Sequence, residues 1–264
     1  MKLANSRGAL GKTLLGVALL SAVAACGGGG SDIAERLDAS PAKTRFINVA
    51  STSPAVSLFR GEQAQSYALN LGYKSVSTYN NVASGTATWS ARSGTDASTA
   101  LASVSFDSQI GSRNSVLLLG SLLNYDAIVL NDPYGISPNT DRARIRVFND
   151  SVNAQAFDVY VTRAGVDITN LSPNFSNVAY RQSVPASTTD SFEFDPGDYV
   201  IRVTPPGSKS VGFTAPLNLP AKTDWLMISL PNIDGITSLT SIKFFTVQGS
   251  GDADGKTSEL TSSQ

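Results

Sequence analysis

Any chemistry in this chain must be built without histidine and around a single cysteine, Cys26. Histidine-based triads and metal sites are therefore excluded, and a lone cysteine forms no internal disulfide. The carboxylates Asp190, Glu193, Asp195 and Asp198 lie close together in sequence. They offer oxygens for calcium or a pair of acids for glycoside hydrolysis. Their context argues for a turn instead. In Asp195-Pro196-Gly197-Asp198 the proline presets φ and the glycine takes a positive φ, while Glu193 alternates with Phe192 and Phe194 and faces water. Gly251-Asp252-Ala253-Asp254-Gly255 lacks the terminal glutamate of a calcium loop. Ser208-Lys209-Ser210 follows a Pro-Pro-Gly turn without Ser-x-x-Lys spacing, and no Gly-x-Ser-x-Gly elbow occurs. Tyr67, Tyr73 and Tyr134 stand in loop-like contexts and are candidates for stacking on a ligand such as a sugar. Trp89, between Ala87 and Ala91 on one strand face, reads as core. These residues predict a protein that is not an enzyme, with no cofactor and no metal.

Cys26 gains its meaning from what precedes it. Lys2, Arg7 and Lys12 are followed by an apolar stretch from Leu14 to Ala25, the pattern of a secretory leader. That stretch is shorter than the roughly 20 residues of a membrane span. Val23-Ala24-Ala25-Cys26 resembles the bacterial lipobox, which implies cleavage before Cys26 and lipidation of its thiol. Acyl chains supply about 0.8 kcal/mol per buried methylene toward holding a protein on a bilayer. Residues 1–25 are then the signal peptide and 26–43 a tether, flexible through Gly27 to Gly30. Gly27 is not aspartate, which under the enteric sorting rule implies passage to the outer membrane, with the periplasmic or surface face open. Cleavage removes three basic residues and leaves 17 basic against 21 acidic, and nothing in that balance calls for a nucleic-acid partner.

The elements that must position the remaining residues are strands. From residue 43 onward, short β-branched and aromatic runs alternate with Gly, Pro, Asn, Asp and Ser clusters. Such runs include Arg45 to Val49, Val56 to Phe59, Thr86 to Ala91, Ser115 to Leu119 and Ala127 to Leu130. Later ones are Ala143 to Phe148, Phe157 to Val161, Tyr199 to Val203, Trp225 to Leu230 and Ile242 to Val247. The second set repeats the first. At an offset of 101 residues Arg45 falls on Arg146, Asn48 on Asn149, Phe59 on Tyr160 and Tyr79 on Tyr180. Gly85 then falls on Gly197 and Trp89 on Ile201, the extra residues lying around Pro185 to Glu193. Leu117 to Leu119 match Leu226 to Ile228 at an offset of 109. The pattern predicts an all-β chain of two tandem immunoglobulin-like β-sandwich domains, at 44–135 and 142–248. The boundary is expected within Asn131 to Asp141, where turn formers should stop any strand, and the polar tail 249–264 is expected to be disordered.

The run Asp141 to Ser151, followed by Ala156-Phe157-Asp158-Val159-Tyr160-Val161, resembles the opening of the bacterial domain of unknown function 4397. Thr44 to Ser51 with Ala55 to Phe59 looks like a diverged copy in which Ser57 replaces the aspartate and Phe59 the tyrosine. Tyr180 and Asp195 to Tyr199 also fit the pattern. The resemblance implies a secreted or lipid-anchored β-sandwich and carries no functional residues across. The expected function is that of a lipoprotein held at the cell envelope through Cys26, non-enzymatic and structural or binding. Its partners would be the membrane and an envelope protein or glycan. The alternative is a carbohydrate-binding or adhesive module at the cell surface.

Overall fold

The structure, a computed structural model, describes residues 40–94, 98–133, 141–152, 154–231, 239–249 and 254–263. The leader, Cys26, nearly all of the tether and Tyr134 lie outside these residues. Every run named above as a strand is one. In the first half the long strands are β1 (Lys43–Asn48), β2 (Val56–Arg60), β6 (Gly85–Ser93), β7 (Ala100–Ser108), β8 (Ser112–Ser121) and β9 (Asn124–Pro133), with the short β3 (Gln63–Ala64), β4 (Ser75–Val76) and β5 (Asn80–Asn81) between. In the second half they are β10 (Ala143–Asn149), β11 (Ala156–Thr162), β12 (Phe175–Ala179), β15 (Gly197–Thr204), β16 (Phe213–Leu219), β17 (Asp224–Pro231), β18 (Ile242–Gln248) and β19 (Thr257–Leu260). The short β13 (Ser183–Val184) and β14 (Phe192–Phe194) flank the segment in which the second half is longer.

These strands form four sheets. One sheet runs β4-β1-β8-β9 with β5 also on β1, and the other sheet of that half runs β3-β2-β6-β7. The second half repeats the plan, with β13-β10-β17-β18-β19 plus β14 on β10, and β12-β11-β15-β16. Each half is thus a sandwich, as the alternation predicts. The centre of each larger sheet differs from an all-antiparallel sandwich, because β1 pairs parallel with β8 and β10 parallel with β17.

The burial pattern explains that arrangement. One core joins the two sheets of the first half around Phe46, Leu58, Trp89 and Val116, and another joins those of the second around Val147, Phe157, Ile201 and Phe244. A third lies between the halves, with Ile47, Val49, Leu117 and Leu119 meeting Phe148, Leu226, Ile228 and Phe245. The two parallel-centred sheets are therefore inner layers, covered on both faces. That is the setting in which parallel strands occur, and it explains the near-continuous apolar runs at Val116 to Leu119 and Trp225 to Leu230. The repeat sharpens accordingly. Ser115 faces Arg45 and Leu226 faces Arg146, so β8 and β17 correspond at an offset of 111 residues, not 109. A slip of two residues keeps the same side chains on the same face, which is why the sequence pattern tolerated it.

Two other expectations need correction. The turn formers Asn131, Asp132 and Pro133 do not stop a strand, since β9 runs through all three. It is an edge strand, where a proline costs no ladder hydrogen bond. Nor is the tail without structure. β19 pairs with β18, the Asp254 carboxylate accepts a bond from the Tyr79 amide at 2.9 Å, and Lys74 pairs with Glu259. Polar composition concealed a strand whose role is to add an edge and bridge the two halves.

Candidate functional site

Side chains that face the opposite half change character along the strands. On β1 they read Arg45, Ile47 and, just beyond, Val49, and on β8 Arg113, Ser115, Leu117 and Leu119. On β10 they read Arg144, Arg146 and Phe148, and on β17 Asp224, Leu226, Ile228 and Leu230. One end of the interface is therefore apolar and the other gathers four arginines, all buried. A buried charge is tolerated only with partners.

Those partners come from both halves. Arg146 donates to Asp132 Oδ1 at 3.0 Å, to the carbonyls of Pro185 and Ala186 at 2.6 Å each, and to that of Thr189. Arg144 lies 4.0 Å from both Asp132 and Asp224 and 3.7 Å from Asp190. Arg45 donates to Ser115 Oγ at 2.8 Å and to the Gln248 carbonyl at 3.1 Å, and Arg113 donates to the Gly249 carbonyl at 2.5 Å. Both guanidiniums lie over Tyr79, 4.4 and 5.2 Å from the ring centroid, and the Tyr79 hydroxyl is 3.0 Å from Ser115 Oγ. Burial pushes the Tyr79 phenol up. Burial and the neighbouring Asp132 push the Asp224 carboxyl up against the pull of Arg144, Arg113 and Arg45. Gly249 fits closely against the cluster, since a Cβ there would stand 3.1 Å from Arg45 Nη1 and 3.2 Å from Tyr79 and would push both side chains by a few tenths of an ångström. The arrangement cross-links two sandwiches through charge-assisted bonds.

The sequence singled out different residues. Tyr67 packs on the first sandwich core with its hydroxyl buried, and burial holds its phenol well above the usual range. Tyr73 packs on the core between the halves, with Lys74 Nζ 5.1 Å from its ring centroid. The two tyrosines therefore belong to separate cores and do not form one stacking platform; Tyr134 and Cys26 lie outside the described residues. The carboxylates separate as well. Asp190 joins the arginine cluster, while Glu193 and Asp195 pair with Arg142 at 3.5 and 3.2 Å. Gly197 has φ +128°, and Arg163 donates to the carbonyls of Pro196 and Asp198 on either side of it, so the chain bends at Pro196 and enters β15 held in place by Arg163. Arg45 and Arg146 were visible as a repeated pair, but nothing in sequence showed that they face each other's half.

A second repeated pair ties the strand ends. Asn48 donates to Ser53 Oγ and the Leu71 carbonyl and accepts from the Ala50 amide, at 3.0 to 3.1 Å. Asn149 donates to the carbonyls of Ala154 and Val178 and accepts from the Ser151 amide and Ser229 Oγ, at 2.8 to 3.1 Å. Each asparagine holds the chain as it leaves an inner sheet and crosses to the outer one, which is the segment that carries the family-like motif. Residues 42–160 match the family model described as Domain of unknown function (DUF4397). The DUF4397 match spans the first sandwich and continues through β10 into β11, so it includes both asparagines and both Arg45 and Arg146. No curated protein matches the chain.

Just beyond Asn149, still within the DUF4397 match, Asp150 sits at the apolar end of the interface. Its carboxyl lies 3.4 Å from Arg181 Nε, and Arg181 also reaches Asp126 of the first half at 3.2 Å. Burial pushes the Asp150 carboxyl up to about 7, Arg181 pulls it down and Asp126 adds to the rise. The native state then keeps a proton that the unfolded chain releases near pH 4, at about the usual aspartate value. This contribution to stability is fully present below pH ~4 and is lost as pH rises to about 7. Asp150→Asn should flatten that slope, matching the parent near pH 4 and melting a few degrees higher above pH ~7. Thermal melts of both proteins across that range check it, and parallel profiles would refute it.

Proposed function

We propose that this chain is a non-enzymatic cell-envelope lipoprotein, held through Cys26, whose two halves are tandem copies of the DUF4397 sandwich fused into one stiff module. The observation that carries this reading is the use made of the reactive side chains. The interface between the halves engages Arg45, Arg113, Arg144, Arg146, Asp132, Asp224 and Tyr79 as cement. The repeated strand order and the repeated asparagine knots support two copies of one domain. The chain between Cys26 and Lys43 reaches about 60 Å when extended, enough to hold such a module off a bilayer. β1 begins at the charged end of the interface, so the β8–β9 hairpin tip lies at the far end. There Leu122 and Leu123 are 80% and 87% exposed, an apolar pair that suits a binding role. The carbohydrate alternative has less support, because the Tyr67 hydroxyl is buried and Tyr73 is packed between the halves.

The anchor is tested by Cys26→Ser. In cells, the variant should leave the membrane fraction for the soluble one and lose fatty-acid labelling, while the parent keeps both. A variant that still fractionates with membranes would end the lipoprotein reading.

A further inference from the structure

Two leucines stand where the backbone favours other residues. β8 turns into β9 through a two-residue loop, with Ser121 paired to Asn124, and Leu122 and Leu123 take φ +51° and +67°. Two positive φ values in such a loop make the type I′ turn, which favours Asn-Gly because a Cβ is crowded in that conformation. Glycine is used where it is unavoidable, at Gly120, whose φ is +100° and where a Cβ would stand 2.2 Å from the Asn124 carbonyl oxygen. Leu122 and Leu123 belong to none of the three cores, and at 80% and 87% they are the most exposed large apolar side chains among the described residues. The tip is held firmly all the same. The Leu122 amide donates to Thr52 Oγ1 at 2.5 Å, and the Tyr125 hydroxyl donates to the Thr52 carbonyl at 2.9 Å. Backbone strain and apolar exposure both count against the fold, so together they point to a use outside it.

The surroundings of the pair select what covers it. Two leucyl side chains on a convex tip offer well under half of the roughly 800 Å² that each partner buries in a stable protein interface. An acyl layer needs no matching surface. Ser121, Asn124, Thr52 and Ser53 around the tip carry no charge, and Asp126, the nearest acid on the hairpin, is paired with Arg181. Insertion therefore strips no unpaired ion of water and calls for no anionic lipid. Val152, 54% exposed just beyond β10, adds apolar surface at the same end. β8 spans about 33 Å from the end where the tether arrives to the tip, whereas the chain between Cys26 and Lys43 reaches about 60 Å. A tether longer than the module lets the far end turn back to the bilayer that holds Cys26, and it keeps that surface at a high local concentration. A single myristoyl chain holds a protein on a bilayer only marginally, and two leucines bury fewer methylenes, so the tip works only on a protein already anchored. We propose that the Leu122–Leu123 tip inserts into the acyl layer of the bilayer to which Cys26 is attached, as a second point of contact that fixes the orientation of the module. The proposal rests on the lipoprotein reading and adds the lipid surface as the ligand of this tip.

All three cores lie beyond residue 40, so the chain from Cys26 onward keeps them. Coupling its single thiol to a maleimide lipid in phosphatidylcholine vesicles anchors it by chemistry alone, and the outcome then does not depend on whether cells acylate Cys26. In Leu123→Trp the new indole should emit further to the blue on the vesicles and be quenched by lipids brominated in their acyl chains. Trp89 and Trp225 are buried and supply a background measured in the parent. Ile110→Trp, 60% exposed in the parent and at the tethered end of β8, should show neither change. In solution, Leu122→Asn combined with Leu123→Gly should relax the turn and melt a few degrees higher. A Leu123→Trp indole that stays in water would overturn the proposal and leave the pair to a protein partner, while the anchor stands or falls separately with Cys26→Ser. Equal quenching at position 110 would mean that the module lies on the vesicle without using its tip. An Asn-Gly tip that melts lower would mean that the leucines serve the fold, and either result overturns the proposal as well.

Discussion

Arg146→Ala is expected to destabilise the protein by roughly 3–5 kcal/mol, the range seen when one partner of a buried ion pair is removed. The residue is only 3% exposed, and its guanidinium serves a carboxylate from the first half and three carbonyls from the second. Truncation strands Asp132 without its 3.0 Å partner and strips the Pro185, Ala186 and Thr189 carbonyls of a donor. Urea titration checks the effect as a lower midpoint at pH 7. Arg146→Met combined with Asp132→Leu should recover most of the loss, because removing both charges also removes their desolvation cost. A single mutant within about 1 kcal/mol of the parent would mean the cluster behaves like a surface pair. Such a result would also remove the main support for the fused-module reading.

Asn149→Ala is expected to cost about 4 kcal/mol. Its amide makes two donor and two acceptor bonds in a fully buried position, and alanine leaves those four partners unsatisfied. Each stranded group costs about 1–3 kcal/mol, reduced by local relaxation. Asn149→Asp separates the roles, since the carboxylate keeps the acceptor bonds from Ser151 and Ser229 and loses the donor bonds to Ala154 and Val178. It should be as damaging as alanine or more so, because it also buries a charge. Denaturant unfolding ranks the two variants. Losses below about 1 kcal/mol in both would show that the strand crossing does not depend on this knot.

Much of the framework was legible in the residues. Strands such as Thr86 to Ala91 and Phe157 to Val161 declared themselves by alternation, since one face of each meets a core and the other does not. Trp89 and Ile201 were matched as repeat partners, and both are fully buried in equivalent cores. The bend at Pro196 was legible for a local reason, a proline beside a glycine that takes a positive φ. The edge strands β7 and β19 were not. β7 is rich in Ala and Ser along the edge of an outer sheet, and β19 is a mostly polar strand held by its pairing with β18, a Thr246–Ser258 hydroxyl contact and the Lys74–Glu259 pair. Tyr67 and Tyr73 read as loop residues because their neighbours are turn formers, yet long-range packing half-buries both.

The sequence by itself determined the class and the plan, an all-β chain in which one set of strands is laid down twice, because alternation and repetition are local properties of the residues. Only the tertiary structure decided that the two inner sheets meet face to face. Arg45 and Arg146 are about a hundred positions apart and read as ordinary charged members of strands. Their meaning depends on which sheet covers them, and a period of two specifies a face without naming the layer it will meet. The parallel pairing of β1 with β8 and of β10 with β17 follows from that covering, since strands buried on both sides can dispense with a polar face.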